Sequence, residues 1–126
     1  MFRVEINNLA KKEFKLLEAI QLVINEVGHK AIIESGFVTD LASIPSFLFW
    51  LQWGKWNKAA IVHDYAYSNG FVSIKSQTET KKYYLTRNQS DYLFYQILLF
   101  DGVNPFLAWM MFKAVRLFGG KHWKHG

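Results

Sequence analysis

Apolar and polar residues alternate in the first part of the chain, over residues 2–6, which predicts a short strand. Segments 19–24 and 30–34 predict two further strands, joined by a hairpin that turns at Gly28. The Leu, Glu and Ala residues that lead into this hairpin also favour a helix. We therefore expect residues 1–36 to be rich in β-structure.

Helical spacing of apolar residues prevails in the second part, residues 37–118. One predicted helix begins near Pro45. Three more are predicted over residues 57–69, 87–100 and 105–118. Thr86 and Gln89 form a capping-box pattern at the start of the helix over residues 87–100. Residues 70–85 are predicted to be a loop or a ragged hairpin. The sequence thus predicts an α+β fold, a small N-terminal antiparallel sheet followed by three or four packed helices, in a single domain of residues 1–126.

The amino-acid composition indicates which class of protein the chain belongs to. The chain has 126 residues, of which 51% are hydrophobic and none is cysteine, so we expect a globular domain without disulfides or thiolate-bound zinc. Its first residues carry charge and alternate, which predicts no signal peptide. No apolar run approaches the roughly 20 residues of a membrane-spanning helix.

Positive charge is concentrated at the C-terminal end, because no acidic residue follows Asp101. The last 25 residues carry four basic residues: Lys113, Arg116, Lys121 and Lys124. This end, with its basic tail of residues 119–126, is either a solvated helix face or a surface for nucleic acid, an anionic membrane or an acidic protein. Nucleic acid is disfavoured because the aromatic residues lie in apolar clusters rather than between basic residues.

Three aspartates occupy positions suited to chemistry: Asp40 in a loop, Asp64 beside His63 on a helix, and Asp91 in the next helix. If these helices pack antiparallel, Asp91 reaches the imidazole and fixes its tautomer, as a general base requires. Asp64 is rotated by about 100° and is free to meet Asp40, and such oxygen ligands suit Ca²⁺ or Mg²⁺. The alternative is that each is an ordinary polar residue that caps a turn or a helix.

Aromatic residues crowd two segments, 47–56 and 106–112. Most of them are expected in the core of the domain. A domain of this length cannot bury all of them, so an exposed apolar surface for a partner, a ligand or a membrane is expected.

The segments Gly36–Pro45 and Ala59–Tyr67, followed by Ser90–Phe94, resemble a family of small phage and prophage proteins of unassigned function. That family's signature is G-F-x-T-D-x-A-S-x-P, then A-x-x-H-D-x-x-Y and A-D-x-x-F, and this chain departs from it with Ser90 in place of alanine. The resemblance extends to the closing Ala114–Gly119. It implies phage or prophage origin but no activity. With no predicted signal peptide, such a protein is expected to be synthesised in the host cytoplasm, where incorporation into the virion is one alternative.

The same motifs are distantly similar to the helix pair of secreted phospholipases of the A2 type. That similarity implies that His63 activates water, that Asp91 and Tyr67 support it, and that Asp64 binds calcium. Its calcium loop corresponds to residues 39–43, with Asp40 as a ligand and Thr39 and Ser43 as loop support. The chain departs from those enzymes in lacking their disulfides and the usual glycine of the calcium loop.

Two functions from different classes follow. The first is a phage-encoded, metal-dependent hydrolase in which His63 is the base, acting on an ester or amide of a host envelope component. The second is a non-catalytic virion protein whose aromatic surface and basic end bind a neighbouring subunit.

Overall fold

The computed structural model describes residues 4–8, 13–39 and 57–123. The strands within these residues are β1 (Val4–Asn8), β2 (Glu13–Leu16), β3 (Ile20–Val23), β4 (Lys30–Ile33), β5 (Val38–Thr39), β6 (Phe71–Lys75) and β7 (Thr80–Tyr84). The helices are α1 (Asn57–Asn69), α2 (Arg87–Phe100) and α3 (Pro105–Phe118), followed by a 3-10 turn at Gly120–His122. The fold is α+β, as the sequence predicts. The helix predicted near Pro45 lies outside the described residues.

All described strand pairs are antiparallel, and they form two sheets in the orders β1-β2-β5 and β3-β4-β6-β7. The predicted hairpin is the β3–β4 pair, with Ile20 opposite Ile33. The second sheet also takes in a hairpin from beyond α1, in which Phe71 faces Tyr84. Residues 70–85 therefore complete the sheet, rather than only linking two helices.

Helix α1 lies at the centre of the molecule, and every residue from 59 to 67 is buried. Ala59 and Ala60 allow close approach of neighbouring elements, and α1 packs against α2 and against strands β4 and β6. A helix that is buried on all sides has no polar face to give to solvent. His63 and Asp64 are consequently drawn into the interior with their apolar neighbours.

Helices α2 and α3 begin at side-chain caps. Thr86 accepts from the backbone N–H of Gln89 while the Gln89 side chain accepts from the backbone of Thr86, so the predicted capping box is present. Asn104 caps α3 in front of Pro105. α2 packs against both α1 and α3, so residues on its inner face contact both neighbouring helices.

Candidate functional site

His63 and Asp91 meet in the interior between α1 and α2. His63 Nε2 lies 2.6 Å from Asp91 Oδ1, and both side chains are fully buried. The antiparallel packing of consecutive helices places the carboxylate behind the imidazole, so the contact predicted from the sequence is confirmed. A neutral imidazole that donates from Nε2 has Nδ1 as its acceptor nitrogen.

Tyr67 adds a second donor to the same carboxylate. One helical turn after His63, its hydroxyl donates to Asp91 Oδ1 over 2.6 Å, and its ring lies 4.2 Å from the imidazole centroid. Phe94, one turn after Asp91, places its ring 4.8 Å from the same imidazole. The histidine ring is therefore held by a carboxylate on its edge and by two aromatic rings.

Two arginines complete the cluster formed by His63, Tyr67 and Asp91, and neither is among the site residues predicted from the sequence. Arg116 Nη1 on α3 lies 2.6 Å from Asp91 Oδ2. Arg87, four residues before Asp91 on α2, donates from Nε to the Tyr67 hydroxyl over 3.1 Å and from Nη2 to the carbonyl oxygens of Val115 and Arg116. Arg87 thus joins the start of α2 to the last turn of α3.

The sequence contains a signal for each arginine. Arg87 stands at the i−4 position from Asp91, where a cation on the same helix face is a neighbour of the carboxylate. Arg116 belongs to the closing segment Ala114–Gly119 of the phage-like pattern, but its charge was attributed to the basic end of the chain. A buried carboxylate requires cations or hydrogen-bond donors, and in the structure these two arginines supply them.

The segment after α3 closes over Tyr67. The Trp123 ring meets the Tyr67 ring edge-on, with centroids 5.2 Å apart. Gly119 is buried, and a Cβ atom at this position would lie 2.5 Å from the Val115 carbonyl oxygen and 3.1 Å from the Tyr67 hydroxyl. The part of the predicted basic tail that is described, residues 119–123, therefore packs against the cluster.

Burial and hydrogen bonding shift the pKa values of His63, Asp91 and Tyr67. Burial lowers the pKa of His63 below 6.5 despite the opposing effect of Asp91. Burial alone would raise the pKa of Asp91, but hydrogen bonds from His63, Tyr67 and Arg116 outweigh it and lower that pKa. Burial and the bond to Asp91 raise the pKa of Tyr67. At neutral pH the cluster holds a neutral imidazole, a carboxylate and a phenol.

The predicted metal ligands are only partly within the described residues. Asp64 is 8% exposed and follows His63 on α1. Thr39 belongs to β5, where its backbone pairs with Phe14, whereas Asp40 and Ser43 lie outside the described residues. Among the residues that the structure describes, no group of three or more His, Asp or Glu side chains is placed to hold a metal ion. The Asp40–Asp64 metal site therefore stays a prediction.

The cluster lies beside a surface groove of about 740 Å³. Arg87 and Trp123, which both contact Tyr67, are part of its lining, together with Asn69, Thr86 and Asn88. Neither His63 nor Asp64 is among the described residues that line this groove. Within that part of the chain, the groove approaches the cluster from the side of Tyr67 and Arg87.

Comparison with known proteins gives a family. No curated protein and no solved structure matches the chain. A family model described as "Protein of unknown function (DUF1353)" matches residues 14–115, which include His63, Asp64, Tyr67 and Asp91. Because the match spans well over half of the sequence, the chain belongs to the DUF1353 family.

Proposed function

We propose that this protein is a hydrolase in which His63 is the general base and Asp91 its positioning residue. The observation that carries the proposal is the 2.6 Å contact between His63 Nε2 and Asp91 Oδ1 in a fully buried setting. Burial lowers the pKa of His63, so the imidazole is neutral and able to take a proton at neutral pH. Tyr67 and Arg116 hold the carboxylate, and the carboxylate in turn fixes the tautomer of the imidazole.

The proposed reaction is hydrolysis of an ester or amide. His63 takes one proton from a water molecule while the water oxygen forms a bond to the acyl carbon. Asp91 stabilises the imidazolium that results. The bond from the acyl carbon to the leaving oxygen or nitrogen then breaks, and the leaving group receives the proton from His63. The resemblance to phage proteins supports a host envelope component as the source of the substrate.

A divalent cation forms the second part of the proposal, with Asp64 and Asp40 as its protein ligands. Asp64 follows the proposed base on α1, and because successive helical residues differ by about 100° it points to another side of the helix than His63. Carboxylate oxygens suit Ca²⁺ or Mg²⁺, which would polarise the carbonyl of the substrate when bound.

Calorimetric titration of the protein with CaCl₂ and with MgCl₂ tests the cation. Binding is expected for the wild type and is expected to be lost in Asp64→Asn. It should persist in Asp101→Asn, because the Asp101 carboxylate of the wild type pairs with Lys58 at 2.9 Å and is not a proposed ligand. Absence of binding to the wild type, together with a melting temperature that EDTA does not change, would overturn this part.

One observation favours the second candidate, a non-catalytic virion protein. Asp91 bonds to side chains from α1 and α3 as well as lying on α2, with Arg116 Nη1 at 2.6 Å from its second oxygen. An arrangement of this kind ties three helices together whether or not a reaction takes place. The cluster would then stabilise a protein whose surface binds a neighbouring subunit.

Hydrolysis assays on p-nitrophenyl esters, isolated phospholipids and peptidoglycan separate the two candidates. The hydrolase proposal expects turnover by the wild type, with the acid limb of the kcat/KM profile below pH 6.5 because burial lowers the pKa of His63. It also expects His63→Asn to remain folded and to lose turnover, while the control Tyr92→Phe keeps it. Turnover that survives in His63→Asn overturns the proposal. Absence of turnover, with His63→Ala destabilised by roughly 3–5 kcal/mol, favours the scaffold.

A further inference from the structure

Helix α3 presents an apolar stripe to solvent. At about 100° per residue, Phe106, Trp109, Met110, Lys113 and Leu117 fall within an arc of roughly 100°. We call these five residues the α3 outer face. The opposite side of the helix is buried through Ala108, Met111, Ala114 and Val115.

The exposure of this face is large for apolar side chains. Phe106 is 69% exposed, Trp109 45% and Leu117 74%. The rings of Phe106 and Trp109 stack with centroids 6.4 Å apart, so they form one continuous apolar surface. Grouped apolar side chains of this kind mark a contact surface, whereas single exposed ones do not.

The α3 outer face carries positive charge. Lys113 lies within the stripe, with its Nζ 5.7 Å from the centroid of the Trp109 ring, and Lys121 is exposed just beyond the helix. No acidic residue follows Asp101 in the sequence. A lysine whose stem lies along apolar surface can extend its ammonium group toward anions at the edge of that surface.

We propose that the α3 outer face docks onto an anionic lipid surface. The combination of Phe, Trp and Leu with lysine, and with no acidic residue among the five, is complementary to acyl chains beneath negative headgroups. A second copy of the chain fits less well, because a two-fold contact centred on this face brings the Lys113 ammonium groups of both copies close together.

The helix would lie on the membrane rather than cross it. Its 14 residues span about 21 Å at 1.5 Å per residue, short of the roughly 30 Å hydrocarbon layer. No helix in the part of the chain that the structure describes is both long and apolar enough to cross a bilayer. The hydrogen bonds from Arg87 and Arg116 fix α3 to α2, so the face is presented on a rigid support.

Co-sedimentation of the full chain with vesicles tests the proposal. Vesicles of phosphatidylcholine are compared with vesicles of phosphatidylcholine and phosphatidylglycerol, each at low and high salt. Binding is expected only with phosphatidylglycerol and is expected to weaken with salt. The double variant Phe106→Ser/Leu117→Ser should bind about a hundredfold more weakly, since each of the two side chains contributes roughly a tenfold factor when it is buried.

Matched controls come from β7, where Tyr84 is 75% exposed and Lys81 is also exposed. Tyr84→Ser and Lys81→Glu should retain binding, whereas Lys113→Glu should lose it. Absence of binding to phosphatidylglycerol vesicles overturns the proposal, as does equal binding by the wild type and the double variant. Sedimentation velocity that shows wild-type dimers and a monomeric double variant would assign the face to a second copy instead. The vesicle measurement needs no turnover, so it is independent of the hydrolase proposal.

Discussion

The Tyr67 hydroxyl donates its hydrogen bond to Oδ1 of Asp91, the same oxygen that lies 2.6 Å from His63 Nε2. Oδ2 of the carboxylate faces Arg116 at 2.6 Å and Arg87 at 3.9 Å. A fully buried carboxylate is costly unless it is paired, and here each oxygen has donors of its own. Asp91 is therefore the residue on which α1, α2 and α3 converge.

Replacement of Asp91 tests this arrangement. Asp91→Asn keeps the shape of the side chain but removes the charge that faces Arg116 and places an amide group among donors. We expect the free energy of unfolding to fall by about 3 kcal/mol, as for a broken buried ion pair. Urea denaturation followed by circular dichroism measures the change.

The matched control for Asp91 is Asp101→Asn. Asp101 pairs with Lys58 at 2.9 Å, but this pair is partly open to solvent, with side chains 15% and 23% exposed. Its loss should cost less than about 1 kcal/mol. Equal effects of the two substitutions would show that Asp91 is not the central tie of the helices.

Removal of the Tyr67 hydroxyl should have a smaller effect than loss of Asp91. Tyr67→Phe deletes the donor to Asp91 and the acceptor of the Arg87 Nε–H but leaves the ring in place. The free energy of unfolding should fall by about 1–2 kcal/mol. Tyr92→Phe on the exposed side of α2 serves as the control and should be neutral. A neutral Tyr67→Phe would show that His63 and the two arginines satisfy Asp91 without the phenol.

Gly119 tests the closure of the cluster by the segment after α3. Its φ of −81° is accessible to any residue, so backbone strain is not the issue. Gly119→Ala would place Cβ 2.5 Å from the Val115 carbonyl oxygen, which accepts from Arg87, and would crowd the Tyr67 hydroxyl. We expect a loss of about 1–3 kcal/mol in thermal or urea unfolding.

Gly120→Ala is the neighbouring comparison. A Cβ at Gly120 would first meet the guanidinium of Arg87, at 3.3 Å, and the far end of a side chain can yield by a few tenths of an ångström. Its cost should be smaller than that of Gly119→Ala. The reverse order would mean that the Arg87 side chain, and not the backbone at Val115, is the rigid part of this closure.

The sequence predicts the His63–Asp91 contact but not the Arg116–Asp91 contact, although the two span similar separations of 28 and 25 residues. His63 and Asp91 were paired from helical spacing and from the tendency of consecutive helices to pack, which are both local properties. The Arg116 contact depends on how α3 lies across α2, which no periodicity in the sequence encodes. The role of the hairpin at 71–84 was missed for a similar reason, since its pairing with β4 joins segments separated by a whole helix.

The cluster also predicts how stability changes with pH. Burial lowers the pKa of His63 below 6.5, so the unfolded chain takes up this proton at a higher pH than the folded chain. The free energy of unfolding should therefore fall as pH drops below about 6.5. At the alkaline end, the pKa of Tyr67 is raised above its ordinary 10.0, so the unfolded chain loses that proton first and stability should fall above this pH.

The pH dependence is best measured as a difference between variants, because other groups titrate over the same ranges. Urea unfolding gives the free energy of unfolding of the wild type and of His63→Gln as a function of pH. The difference between the two should change below pH 6.5, because only the wild type has an imidazole that takes up a proton on unfolding there. The same comparison with Tyr67→Phe should give a difference that changes above pH 10.0. The pKa of Asp91 is lowered as well, by hydrogen bonds rather than by burial, and its effect on stability has the same sign as that of His63. Its lowered pKa supplies stability above its ordinary 3.8, and that stability is lost as pH falls through the folded value. Parallel curves for the wild type and His63→Gln between pH 6.5 and the range of the carboxylates would contradict a neutral, buried His63.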